Sequence, residues 1–128
     1  VVKHEYKTKM TKKYFGNKNE NYPRKNWSSV ILWNCEHEDN KCLTPEFVSR
    51  KSGAFLHRFQ WLVDEKIGEL NKLWNWLAIE YHNEPKAKII NYTLGTPCFD
   101  EFHNTSMSNY WVKYFKKMIK GVGKKVMS

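Results

Sequence analysis

Four consecutive apolar residues, Val30 to Trp33, lie between Ser28-Ser29 and Asn34-Cys35, and this run does most to narrow the choice of fold. A run with no polar residue at alternate positions suits a strand covered on both faces, and such strands belong to the interior of an α/β sheet. "SSVILWNC" therefore predicts a central strand. "VVKHEY" at the start, with Val1, Val2 and Tyr6 of strand-favouring type, predicts a second, and "KAKIINYT" a third.

Helical signals alternate with these. In "LTPEFVSRKSG", Thr44 is an N-cap, Pro45 takes the first helical position, Glu46 follows in the first turn and Gly53 closes the element. "AFLHRFQWL" places Phe55, Leu56, Phe59 and Leu62 on one helical face. "IGELNKLWNWLAIEY" mixes periods and predicts an irregular segment with a short strand, while "PCFDEFH" suits a helical turn. "SMSNYWVKYFKKMIKG" predicts a terminal amphipathic helix closed by Gly121. The lysine- and asparagine-rich stretch from Lys7 to Asn26 reads as an exposed loop.

The 128 residues suffice for one domain, residues 1–128, with one core. With 41% hydrophobic residues and six Trp, the chain has apolar surface to offset its conformational entropy. A strand at the first residue, without an initiator Met, is expected of the later part of a longer chain. No apolar run is long enough to span a membrane and no signal segment is evident, so a cytoplasmic location is expected. Cys35, Cys42 and Cys98 are odd in number and give no disulfide framework. The formal charge is +9, yet the arginines are only Arg24, Arg50 and Arg58. Bidentate recognition of bases or phosphates favours arginine, so this balance signals solubility or diffuse attraction, and nucleic acid is not the expected partner.

Single motifs carry little chemistry. Cys35, His37 and Cys42 lack the fourth ligand of a structural zinc site and read as a loop with free thiols. His57 suits an acid, a base or a polar neighbour at the edge of a core. Trp74, Asn75 and Trp76 suit a stacking platform or, more simply, core aromatics. In the terminal helix, Trp111, Phe115, Met118 and Ile119 oppose Lys113, Lys116, Lys117 and Lys120, a pattern for an anionic membrane surface or for a solvated lysine face over a docked stripe.

Taken in order, "YPRKNWSSVILWNC", "LTPEFVSRKSGAFLHRFQWL", "IGELNKLWNWL" and "INYTLGTPCFDEF" resemble the C-terminal half of bacterial and phage glycosyltransferases related to family eight, over roughly residues 1–114. The resemblance implies the C-terminal portion of a GT-A domain, an α/β fold with a mixed sheet and packed helices. It implies transfer of a sugar from a nucleotide-sugar donor to an acceptor hydroxyl on a carbohydrate or another molecule. Ser28, Ser29 and Asn34 match positions beside the sugar, and His57, Arg58 and Gln60 match a segment that approaches donor or acceptor. "INYTLGTPCF" matches an element that binds metal and diphosphate, with Thr93 and Gly95 in its turn facing the donor. Asn91 stands there in place of the family's His and Cys98 in place of its Trp. The implied cofactor is a divalent cation, manganese or magnesium, to which Asn91 offers only an amide oxygen.

The family's Asp-x-Asp motif occurs nowhere in the chain, so the resemblance implies that this piece alone is inactive and that an uncovered sheet edge favours self-association. Two other classes suit the same sequence: a non-catalytic binding domain on that scaffold, and a basic protein that binds nucleic acid or a membrane surface.

Overall fold

A computed structural model describes residues 1–126, with side chains as far as Gly121. Its regular elements are few: helix α1 (Pro45–Arg50), helix α2 (Gly53–His57), strand β1 (Trp76–Leu77), strand β2 (Ile90–Asn91) and helix α3 (Ser108–Val126), with short 3₁₀ turns between. β1 and β2 form a parallel pair, Trp76 opposite Ile90 and Leu77 opposite Asn91. The architecture is a small mixed α/β arrangement. Among the described residues the sheet has two strands, and the larger GT-A sheet is not displayed.

Local signals fix the short elements. Thr44 Oγ1 accepts from the Phe47 N–H at 3.2 Å and caps α1, as its sequence implies. Gly53 does not close α1; it opens α2, where Ser52 Oγ accepts from Phe55 N–H at 3.1 Å. α2 then stops because Phe59 adopts a left-handed conformation (φ 50°) to bury its ring. α3 continues past Gly121, since one glycine inside a helix costs only about 1 kcal/mol.

Two predicted strands are absent. From Val2 on the opening segment alternates, with Val2 and His4 buried and Glu5 exposed, while Val1 is buried too, but no ladder forms beside it. Its main chain is held instead by Leu70 N–H donating to the Val1 carbonyl (2.6 Å) and Trp27 Nε1–H donating to the His4 carbonyl (3.1 Å). Val30 to Trp33 is no central strand either: Leu32 is 76% exposed, Ile31 packs inward, and the Trp33 ring lies against Phe59 and Trp61. An apolar run supplies the side chains of a buried strand but not the partners, which are non-local.

Two apolar clusters make the interior. Trp76, Leu77, Ala78, Tyr81 and Met107 surround the parallel pair, and Val1, Trp27, Phe59 and Ile67 form the second cluster. The segment from Lys7 to Asn26 is tied down more firmly than a lysine-rich loop suggests. Glu80, buried, accepts from Thr8 Oγ1 and from Lys9 N–H (2.9 Å). Lys25, also buried, donates to Asn19 Oδ1 at 2.7 Å and to the Glu20 carbonyl. Desolvation lowers the Lys25 pKa, with the charge of Lys13 acting in the same direction.

Candidate functional site

A cavity of about 440 Å³ opens between the 3₁₀ turn Trp27–Ser29 and α2, lined by Tyr22, Asn26, Ser28, Ser29, Ala54, His57 and Arg58. The first wall is built by a conformational choice. Asn26 sits in the left-handed region (φ 60°), which asparagine tolerates, and the turn after it buries Trp27 while leaving Ser28 and Ser29 on the cavity side. Ser29 Oγ–H donates to the Asn26 carbonyl at 2.7 Å and closes that turn.

The opposite wall is the last turn of α2. Ser28 Oγ and His57 Nδ1 share a hydrogen bond of 3.1 Å across the cavity. The Arg58 guanidinium lies 4.7 Å from the Tyr22 ring centroid, a cation–π contact that holds it over the opening. Arg24 secures this wall from behind: its guanidinium donates to the carbonyls of Arg58 (2.7 Å), Phe59 (2.8 Å) and Leu62 (2.9 Å) and pairs with Asp64 through two nitrogens. These carbonyls belong to the unpaired end of α2 and the turn after it, where a guanidinium is a well-matched cap.

The floor connects to the parallel pair through Asn75, which is fully buried. Its amide Nδ2 donates to Ser29 Oγ (2.7 Å) and the Asn26 carbonyl (3.4 Å), and its Oδ1 accepts from Asn91 Nδ2 at 3.1 Å. Segments distant in sequence therefore meet in one polar chain: Asn91 at the end of β2, Asn75 just before β1, then Ser29 and Asn26.

Of the residues singled out in the sequence, Ser28, Ser29, His57 and Arg58 share the cavity, and Asn91 reaches it through Asn75. Gln60 lies on an adjoining shallow depression that shares Arg58. Asn34 lines a separate cavity of about 410 Å³ with Trp33, His37 and Asn40. Thr93 has a buried Oγ1 without a hydrogen-bond partner, and Gly95 is buried against the Phe102 ring. Tyr22 and Asn26 were not legible as site residues, because nothing local separates them from the other residues of a lysine- and asparagine-rich stretch. Asn75 carried one signal, its place between two tryptophans.

The cavity offers two cationic or proton-transferring side chains, hydroxyls and amides, and no carboxylate on its wall. That set suits an anionic or hydroxyl-rich ligand. His57 and Ser28 lack the carboxylate that would complete a nucleophilic triad among the described residues. The surroundings of Asn91 supply neutral amides and a hydroxyl rather than the carboxylates a divalent cation prefers, and no group of three His, Cys, Asp or Glu residues able to hold a metal occurs among the described residues. These residues do not compose a cation shell by themselves.

No protein-family model matches this chain, and no solved structure matches it. A curated protein of Arabidopsis thaliana, "Protein CDI", is 44% identical over 116 residues, covering 87% of this chain and 45% of the relative. The chain thus spans about half the length of the curated relative it matches. These findings overturn the resemblance to family-eight bacterial and phage glycosyltransferases: the similar protein bears no such name, and no model of that family matches.

Proposed function

We propose that this chain carries part of a glycosyl-transfer site that takes a nucleotide-sugar by its diphosphate and sugar hydroxyls. The supporting observation is the convergence of Ser28, Ser29, His57 and Arg58 on one cavity, backed by Asn75 and Asn91. In this reading the parallel pair belongs to the sheet of a larger nucleotide-sugar-binding α/β domain of the GT-A kind.

The chemistry assigns one task to each group. Arg58 donates to the diphosphate and offsets the charge that grows on it as the bond to the anomeric carbon breaks. The oxygen of the acceptor hydroxyl forms the new bond to that carbon. His57, whose Nε2 has no partner among the described residues, takes the hydroxyl proton. Ser28 fixes the imidazole through Nδ1, and Ser29, held by Asn75, donates to or accepts from a sugar hydroxyl. A divalent cation would draw its carboxylates from outside these residues, and no step above depends on one.

Calorimetric titration of the 128-residue chain with UDP-glucose and UDP tests the reading. Expected are binding in the millimolar range or tighter and loss of about 10-fold or more in affinity for Arg58→Ala, the scale of a charged hydrogen bond. Transfer to an acceptor is expected only when the chain is supplied within a longer polypeptide. Absence of binding at millimolar ligand, or binding indifferent to Arg58→Ala, overturns the proposal. Binding without turnover in the longer polypeptide favours a non-catalytic domain instead.

A further inference from the structure

The root of α3 is docked and the turns from Lys113 to Gly121 are not. Met107, just before the helix, and Tyr110 pack with the cluster around β1, and Trp111 and Val112 are half-buried. From Lys113 to Gly121 both faces meet solvent. Tyr114 is 65% exposed, Phe115 41%, Met118 57% and Ile119 51%. Of the two readings the sequence leaves open, a docked stripe and a membrane-facing one, the described residues do not display the docked stripe beyond Val112.

At 3.6 residues per turn, Trp111, Val112, Tyr114, Phe115, Met118 and Ile119 occupy one continuous arc of about 160°. Trp111 and Phe115 reinforce it as a stacked pair, with ring centroids 4.9 Å apart and planes 13° from parallel. Lys113, Lys116, Lys117 and Lys120 fill the opposite arc, and the sequence from Ser108 to Val126 contains no Asp or Glu. Lys116 and Lys117 fall at the two borders of the apolar arc, Lys113 and Lys120 at its back. Tyr114 lies at one border as well, with Lys117 Nζ 5.4 Å from its ring centroid.

We infer that the stretch of α3 from Trp111 to Lys120 is a docking element for an anionic membrane surface, lying in the plane of the headgroups. The argument is complementarity of two kinds at once. Apolar side chains on one face enter the acyl boundary, while border lysines reach up along their aliphatic stems to the phosphates. A tyrosine at the border suits the headgroup level. A polar face whose charges are all lysine meets no repulsion from acidic lipids, and each Lys near such a surface contributes about 1 kcal/mol. The inference is independent of the glycosyl-transfer reading, because it uses none of the cavity residues.

Flotation of the 128-residue protein with vesicles of phosphatidylcholine containing 30% phosphatidylserine, and with phosphatidylcholine alone, tests it. Binding to the anionic vesicles at 50 mM salt, weakened several-fold at 200 mM and absent on the neutral ones, is expected. Lys116→Gln with Lys117→Gln lowers the vesicle affinity about 30-fold, two lysine contributions together. Phe115→Ser with Met118→Ser lowers it comparably without altering the UDP-glucose titration. These positions are exposed, so circular dichroism and the urea midpoint of each variant stay at the parent values. No binding to anionic vesicles, or binding that survives both double substitutions, overturns the inference. A concentration-dependent dimer that the Phe115 and Met118 substitutions dissolve also overturns it, since a second copy then covers the face.

Discussion

Gly95→Ala provides a sharp test of how the segment after β2 is packed. The backbone at Gly95 is outside the left-handed region, so alanine is conformationally allowed and by unfolded-state entropy alone stabilises by about 0.4–1 kcal/mol. Contact reverses that sign. A Cβ built there falls 2.3 Å from Phe102 Cδ2 and 2.4 Å from Cε2, against the roughly 3.5–4.0 Å of ordinary carbon contact. The ring must retreat by more than about 1 Å, and Phe102 is only 1% exposed, so it retreats into packed neighbours at a cost of about 1–3 kcal/mol. The net expectation is a loss of about 1–2 kcal/mol, or about 4–8 °C in melting temperature for a domain of this size. Urea unfolding followed by tryptophan fluorescence measures it. Gly68→Ala, where nothing lies within 4 Å of the added carbon, serves as control and is neutral or slightly stabilising. In the pair Gly95→Ala with Phe102→Leu, the smaller side chain makes room, and the double variant is more stable than the sum of its parts by about 1 kcal/mol. A Gly95→Ala protein as stable as the parent, or strict additivity in the pair, refutes the packing argument.

Two further expectations concern the interior and the cavity wall. His4 is buried, its Nδ1 2.7 Å from the Tyr81 hydroxyl and its Nε2 without a partner. Desolvation, then the charge of Lys72, lowers its pKa to about 4 from 6.5. The unfolded chain binds this proton more readily, so the contribution is full above about pH 6.5 and is lost as pH falls toward 4. Urea midpoints at pH 7 and pH 5 show the loss, and His4→Gln removes most of the difference between them. Arg24→Lys keeps the charge but loses the fork that serves three carbonyls and Asp64. It costs about 2 kcal/mol in urea unfolding and weakens UDP-glucose binding by displacing Arg58, whereas an unchanged midpoint shows that the fork is dispensable.

What the sequence disclosed of the fold was whatever depends on near neighbours. Thr44 and Pro45 announce α1, the alternation of Trp74 to Leu77 suits a short strand, and the apolar and lysine arcs announce α3. The strand readings of residues 1–6 and 30–33 did not survive because a ladder needs a distant partner. The site was legible in a different way. His57 was singled out as an ionisable residue, and Ser28, Ser29 and Arg58 through a resemblance that the comparisons overturn, yet those side chains share one cavity. Asn75 and Arg24, which hold that cavity in shape, act through hydrogen bonds to residues 16 to 49 positions away, a span no local pattern encodes.

The exposure of Leu32 within the apolar run Val30 to Trp33 has a consequence for handling the protein. β-branched and large apolar side chains on an unpaired backbone, starting from an extended Val30 (φ −138°, ψ 121°), offer a template onto which another chain can add a strand. Turbidity is therefore expected to grow with protein concentration. Because Leu32 is 76% exposed, a charge placed there breaks the template at little cost to folding, which makes Leu32 the first position to change when soluble yield limits an experiment.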